Sequence, residues 1–249
     1  MLELVTDTRI DLARSAARHG TGLFETIRIH RGRALRLNAH LARLARGAAF
    51  LGMDAPPETN VVRAFVEQHT NCAQLSSGVL RLLTVDERLI VFISAWEPSR
   101  AERIDIGVAA RIVRLSSSPL NRFKTMAYLE NTLLTREAKD RAMFEVVALN
   151  EAGRLTDGGR TTLFVVSEDR VVTPPVADGA LPGIARDVLL QAGLATEVSL
   201  RPADLLRADG AFLTNALHGV VTVDRVEGGT SKNSRHPKIL AATALLNAD

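Results

Sequence analysis

A chain of 249 residues, 46% of them apolar, is long enough to bury a core as one large domain or, better, as two of ordinary size. The formal charge of +3 is a small balance of 31 basic against 28 acidic residues spread along the chain, which argues against a dedicated nucleic-acid surface. A single cysteine, Cys72, excludes a disulfide framework within the chain and fits a reducing cytoplasm; the opening "MLELVTDTRIDLARSAARHG" carries acids and no continuous apolar run, so it reads as neither signal peptide nor membrane span.

The first patterned stretch is "LFETIRIHRGRALRLNAHLARL", where apolar residues alternate through Leu23, Ile27 and Ile29 before an Arg-Gly turn. That pattern predicts a strand, a hairpin turn and a short second strand. Leu37, Leu41, Leu44, Ala48 and Leu51 then recur at helical spacing and predict an amphipathic helix over residues 38–51. "VVRAFVEQH" is a second helix, and "GVLRLLTV" and "RLIVFISAW" are β-rich runs joined by Asp86 and Glu87 as an antiparallel pair. The polar stretch "EPSRAERID", residues 97–105, marks a boundary between domains 1–104 and 105–249.

Beyond it come the strand "IGVAARIVRL", the turn-rich "SSSPLN" and a helix from Ala127 to Ala142. "FEVVALNEAGRLTDGGRTTLFVVSEDRVVTPP" reads as strands with turns at Asn150–Gly153 and Ser167–Arg170. "LPGIARDVLLQAGL" is a loop punctuated by Pro182 and Gly183 that runs into a helix, and "GAFLTNALHGVVTVDRVEG" supplies two more strands. The tail after Gly229 ends in a helix carrying Ile239, Leu240, Leu245 and Leu246, with no assigned role. No internal repeat is present, and the strands do not alternate regularly with crossover helices, so the class is α+β rather than doubly wound.

The six histidines, at 19, 30, 40, 69, 218 and 236, lack metal-ligand spacing, and one cysteine cannot supply a zinc cluster; no metal is expected. Neither a nucleophile elbow nor a Walker loop occurs, and "HGTG" at 19–22 lacks the strand-then-helix context of a dinucleotide fingerprint, so it reads as a tight turn. In "NRFKTMAYLEN", Lys124 stands beside Phe123 and Met126 where a loop turns into a helix. Such a lysine either snorkels to solvent or, partly desolvated, has a depressed pKa and a neutral amine able to form a Schiff base with an aldehyde. Its neighbours alone leave both readings open.

Six segments decide between them: "GTGLFETIR", "HLARLARGAAFLG", "KTMAYLENTLLTREA", "ALNEAGRLTDGGRTTLFVV", "TPPVADGALPGIARDVLL" and "FLTNALHGVVTV". In order and spacing they resemble the class IV pyridoxal-phosphate (PLP) enzymes, which include branched-chain and D-amino-acid aminotransferases and aminodeoxychorismate lyase. The resemblance spans residues 10–226. It implies the α+β fold of fold-type IV enzymes, with a small N-terminal α/β domain and a larger C-terminal barrel-like β domain flanked by helices. It also implies a PLP cofactor, a small-molecule amino substrate and a cytoplasmic homodimer that engages neither nucleic acid nor membrane.

Carried over by position, Lys124 corresponds to the lysine that binds PLP and later moves a proton at the substrate carbon. Arg43, in "HLARL", corresponds to the arginine that clamps the cofactor phosphate, a task suited to guanidinium geometry. Ile184 and Ala185 match backbone amides at a helix N-terminus, where the helix dipole favours a dianion. Asn215 and Ala216 match a second backbone contact to the phosphate, and Tyr128 resembles a tyrosine placed near the ring hydroxyl.

Two positions depart from the family pattern. Asp157, in "LTDGG", stands where the family usually has a glutamate paired with the pyridine nitrogen, and its side chain is shorter by about 1.5 Å. In "GVLRLLTVDERLIV" the family's Thr-Arg-Gly loop is cut to a tight turn, with Asp86 near the place of an arginine that grips a substrate carboxylate in some members. "KTMAYLEN" and "TPPVADGALPG" resemble the aminodeoxychorismate lyase branch more than the branched-chain aminotransferases. The expectation is therefore a PLP-dependent lyase that converts 4-amino-4-deoxychorismate to 4-aminobenzoate and pyruvate. The alternatives are an aminotransferase acting on a D-amino acid, a branched-chain amino acid or an amine, and a non-catalytic relative that only binds.

Overall fold

The computed structural model describes residues 1–11, 18–97 and 104–247. The chain divides into two compact units, Met1–Ser99 with Phe123–Ala127, and Arg100–Arg122 with Tyr128–Asp249. Most of the boundary stretch expected at 97–105 lies outside the described residues. Phe123–Ala127 clusters with the first unit rather than with its chain neighbours.

In the first unit, strands β1 (Glu3–Val5), β2 (Phe24–His30), β3 (Arg33–Ala34), β4 (Ser77–Val85) and β5 (Arg88–Ala95) form one sheet in the order β1-β5-β4-β2-β3. Its helices are α1 (Leu37–Leu51) and α2 (Thr59–Cys72). Alternation decides the faces: Leu23, Ile27 and Ile29 are buried while Phe24, Thr26, Arg28 and His30 are only partly so. The buried set packs on Leu37, Leu41, Leu44 and Ala48 of α1. A Cβ on Gly47 would lie 2.8 Å from Leu23, so the missing side chain sets how closely α1 approaches the strand. Strands β4 and β5 pair antiparallel across the expected two-residue turn, with Asp86 in the left-handed region at φ 54°. Strand β1, parallel to β5, has no counterpart in the sequence reading, because three residues are too few for a period to show.

The second unit holds two sheets. One has the order β14-β6-β7-β8, from β6 (Asp105–Arg114), β7 (Glu145–Asn150), β8 (Leu155–Gly158) and β14 (Arg225–Val226). The other has the order β11-β10-β9-β12-β13, from β9 (Thr162–Ser167), β10 (Arg170–Thr173), β11 (Thr196–Glu197), β12 (Gly210–Asn215) and β13 (Gly219–Thr222). Helices α3 (Leu129–Asp140), α4 (Ile184–Gln191), α5 (Pro202–Arg207) and α6 (Pro237–Leu246) flank them. The run "TLFVV" is continuously apolar because β9 is covered on both faces. Leu163 and Val165 enter one core, Phe164 and Val166 another, where Phe164 stacks on Phe212 at 4.7 Å between ring centroids. The α+β class stands, and α6 places Ile239 and Leu246 in the second of those cores.

One expected element shifts. The helix predicted from Ala127 begins only at Leu129, because Leu23 forms an antiparallel bridge with Thr125 and holds the preceding segment extended. Lys124 therefore stands in a strand-like segment and not at the head of a helix.

Candidate active site

Glycine makes room for that segment. A Cβ on Gly22 would lie 2.4 Å from the Thr84 carbonyl oxygen and 2.7 Å from Met126 Sδ, so only glycine lets the chain around Lys124 lie this close. The Phe24 N–H donates to the Lys124 carbonyl at 2.9 Å and the Met126 N–H to the Gly22 carbonyl at 2.8 Å. Backbone pairing thus fixes Lys124 against the start of β2, and its Nζ lies 4.2 Å from the centre of the Phe24 ring. An ammonium over a ring face is a favourable cation–π contact, so Phe24 holds the end of this side chain in place.

The chain has four lysines in all. Lys139 is exposed, Lys238 lies 3.4 Å from Asp169, and the Lys232 ammonium donates to the carbonyls of Leu206 and Ala208, both at 2.7 Å, at the end of α5. Lys232 is a helix-end cap.

Arg43 is buried, at 6% exposure, where an isolated arginine on a helix surface would face water. Its Nε donates to Glu25 Oε1 at 2.8 Å and its Nη2 to Glu25 Oε2 at 2.6 Å. His40, one turn earlier on α1, places Nδ1 at 2.7 Å from the same Oε2. Burial alone would raise the Glu25 carboxyl, but Arg43 and His40 outweigh it and hold it at about 2. Burial pushes the His40 imidazole below its ordinary value despite Glu25, so neutral His40 donates its Nδ1 hydrogen to the carboxylate. Phe24 and Glu25 are consecutive, so the anchors of Lys124 and Arg43 sit side by side at the start of β2, on opposite faces.

These groups bind protons less readily folded than unfolded, and the unfolded chain takes them up first. Stability drawn from His40 falls as the pH drops below 6.5, and that from Glu25 is lost progressively between 4.5 and about 2. Urea unfolding between pH 3 and 7 should show this loss, and Glu25→Gln should flatten it below pH 4.5.

In the second unit, β8 delivers Asp157 to a buried position of 5% exposure. Its Oδ2 accepts from the Leu181 N–H at 3.0 Å, and its Oδ1 lies 3.0 Å from Arg114 Nε in an ion pair that lacks hydrogen-bond alignment. Tyr128, which precedes α3, donates its hydroxyl to the Gly159 carbonyl at 3.1 Å, joined by Asn131 Nδ2 at 2.9 Å. Glu145 accepts from the amides of Gly159 and Arg160, both at 3.2 Å, and from the Thr161 hydroxyl at 3.0 Å. The loop after Asp157 is therefore clamped from both sides.

Ile184 and Ala185 open α4, whose N-cap Gly183 provides no side-chain cap. A Cβ on Gly183 would lie 2.9 Å from Thr162 Oγ1, so the helix start presses on β9. Thr162 pairs with Thr214 on β12, and Asn215 ends that strand with Oδ1 accepting from the amides of Leu217 and His218 at 3.0 and 2.8 Å. The fold thus gathers Asp157, Tyr128, the start of α4 and the Asn215–Ala216 turn in one neighbourhood of this unit.

The sequence reading missed Glu25, His40, Arg114 and Glu145. Glu25 carried a signal: it continues the Leu23, Ile27, Ile29 alternation onto the core face, where a carboxylate needs a cation. Glu145 and Arg114 stand in strands whose faces become known only once the sheets are paired.

The amino-transferase class IV family model matches residues 22–226. D-alanine aminotransferase of Bacillus licheniformis is 23% identical over 257 aligned residues, covering 90% of this chain and 86% of that protein. A candidate 4-amino-4-deoxychorismate lyase of Legionella pneumophila superposes with a TM-score of 0.88 at 24% identity, over 99% of this chain and 98% of that one. A hypothetical aminotransferase of Mycobacterium tuberculosis in its PLP-bound form gives a TM-score of 0.80 at 24% identity, over 100% and 93%.

The residues fit that cofactor. Within the second unit, the uncapped start of α4 suits a phosphate dianion, and among the described residues the buried Thr214 hydroxyl has no hydrogen-bond partner. The matched model and the site together make this chain a member of the class IV aminotransferase family, a PLP-dependent enzyme of fold type IV.

Proposed function

We propose that this enzyme is a lyase converting 4-amino-4-deoxychorismate to 4-aminobenzoate and pyruvate. The observation that carries the reading is a pair of arginines on the sheet face that bears Lys124. Phe24, Thr26 and Arg28 point to one side of β2, and Thr26 pairs with Arg81 on β4, so Arg28 and Arg81 are diagonal neighbours on that side. Their guanidiniums lie 5.8 Å from the Trp96 ring and 6.0 Å from the Phe92 ring. Among the described residues neither forms an ion pair, and Arg28 Nε is buried without a hydrogen-bond partner. Two adjacent cations lacking acids suit a substrate with two carboxylates, which 4-amino-4-deoxychorismate is. They supply the grip that Asp86, in the shortened turn, does not.

In this reading, carried over from the family, Arg43 of the first unit would bind the cofactor phosphate, and in the second unit the backbone at Ile184, Ala185, Asn215 and Ala216 would do so. Asp157 offers its carboxylate to the pyridine nitrogen, and Tyr128 supports the ring hydroxyl. When bound, PLP supplies an aldehyde for covalent capture of the amine and a ring that withdraws electrons from the reacting carbon. Lys124 would hold the cofactor and would take the proton from the amine-bearing ring carbon of the substrate. Loss of that proton, with departure of the enolpyruvyl group and its protonation to pyruvate, leaves an aromatic product.

The second reading, an aminotransferase for a D-amino acid, a branched-chain amino acid or an amine, is favoured by the similarity to D-alanine aminotransferase. In that case Lys124 would return the proton to the cofactor. Incubation of the purified holoenzyme with 4-amino-4-deoxychorismate and no keto acid separates them. Pyruvate and 4-aminobenzoate in equal amounts are expected; turnover that requires a keto-acid acceptor would replace the lyase with the transaminase.

A further inference from the structure

Glu25 and His40 do nothing in the chemistry above, yet with Arg43 they form a deeply buried polar cluster in the first unit, with Glu25 at 1% and His40 at 2% exposure. A buried ion pair is poor value as a stabiliser, since well-packed apolar side chains of similar volume do as well or better. Its geometry suggests another use. The two Glu25 oxygens take Nε and Nη2 of Arg43 together, a side-on grip that fixes both the plane of the guanidinium and its rotation. His40 holds the carboxylate in turn, from the same helix that carries Arg43.

We propose that Glu25 is a positioning residue for phosphate recognition: it sets the orientation in which Arg43 meets the cofactor phosphate, with His40 locking Glu25 in place. The inference rests on the reading of Arg43 as the phosphate clamp. A group that only neutralised Arg43 would need the right charge, whereas one that orients it also needs the right length. Glu25→Asp separates these roles, because it keeps the charge and withdraws the carboxylate by one methylene.

The test compares binding of PLP with binding of pyridoxal, which has the same aldehyde and ring but no phosphate, by absorbance titration of the apoprotein. The ratio of the two affinities reads the phosphate contribution alone. Glu25→Asp should lower that ratio about tenfold, by analogy with the lower end of the loss when a group orienting a metal-binding side chain is removed, with pyridoxal binding unchanged. Arg43→Gln is the control and should lower the ratio further. An unchanged ratio in Arg43→Gln would remove the clamp itself and the reading beneath the inference. A ratio lowered in Arg43→Gln but not in Glu25→Asp would overturn the inference alone, as would equal weakening of both ligands in Glu25→Asp. If Glu25→Asp does not fold, His40→Gln removes only the outer hydrogen bond, and an unaltered ratio there overturns the inference as well.

Discussion

Lys124→Ala is expected to yield a folded protein without the visible absorbance of bound PLP and with turnover reduced on the order of 10³-fold or more, since both covalent attachment and proton transfer are lost. The expectation follows from where the four lysines sit. Lys139 is exposed, Lys238 sits beside Asp169, Lys232 is spent on the end of α5, and Lys124 alone is fixed at the start of β2 by backbone pairing with its ammonium over Phe24. Borohydride reduction of the wild-type holoenzyme followed by peptide mapping should place the modified lysine at 124. A label at Lys232, or a Lys124→Ala protein that stays yellow and active, would end this assignment.

Asp157→Asn should damage stability and activity together. Arg114 is buried with its Nε 3.0 Å from Asp157 Oδ1, and removing one member of a buried pair costs up to about 3–5 kcal/mol, because the guanidinium then keeps only the exposed Glu130, 4.0 Å away. The substituted amide can still accept from the Leu181 N–H, but it then turns its NH₂ toward the guanidinium. Urea unfolding measures the first effect and turnover the second. In the double variant with Arg114→Met the uncompensated charge disappears, so stability should recover while activity stays low. Recovery of both would make Asp157 a structural partner of Arg114 and nothing more.

Asp157 is met from two sides, by Arg114 on β6 and by the amide of Leu181 on the way into α4. The sequence marked the aspartate but not these partners, because Arg114 and Leu181 lie far from Asp157 along the chain. Arg81 is a similar case. Its place on a strand was legible, whereas its neighbour across the sheet followed only from the pairing of Thr26 with Arg81. Lys124 is the converse: its importance was readable, but its backbone was expected to be near-helical and is extended, since the bridge to Leu23 depends on a strand a hundred residues earlier.

Periodicity alone determined most elements, from the hairpin at Phe24–Ala34 and α1 to the antiparallel pair β4–β5 and the strands from Glu145 to Thr173, because each buries a face whose spacing is local. Six segments in register pointed to the family, and the matched family model bears that out. Only the tertiary structure decided which charges pair. It put Glu25 against Arg43 and His40, Arg114 against Asp157, and Arg28 beside Arg81 with no ion-pair partner among the described residues. An ion pair leaves no period in a sequence; it exists once strands and helices far apart in the chain have packed and water has been removed between them.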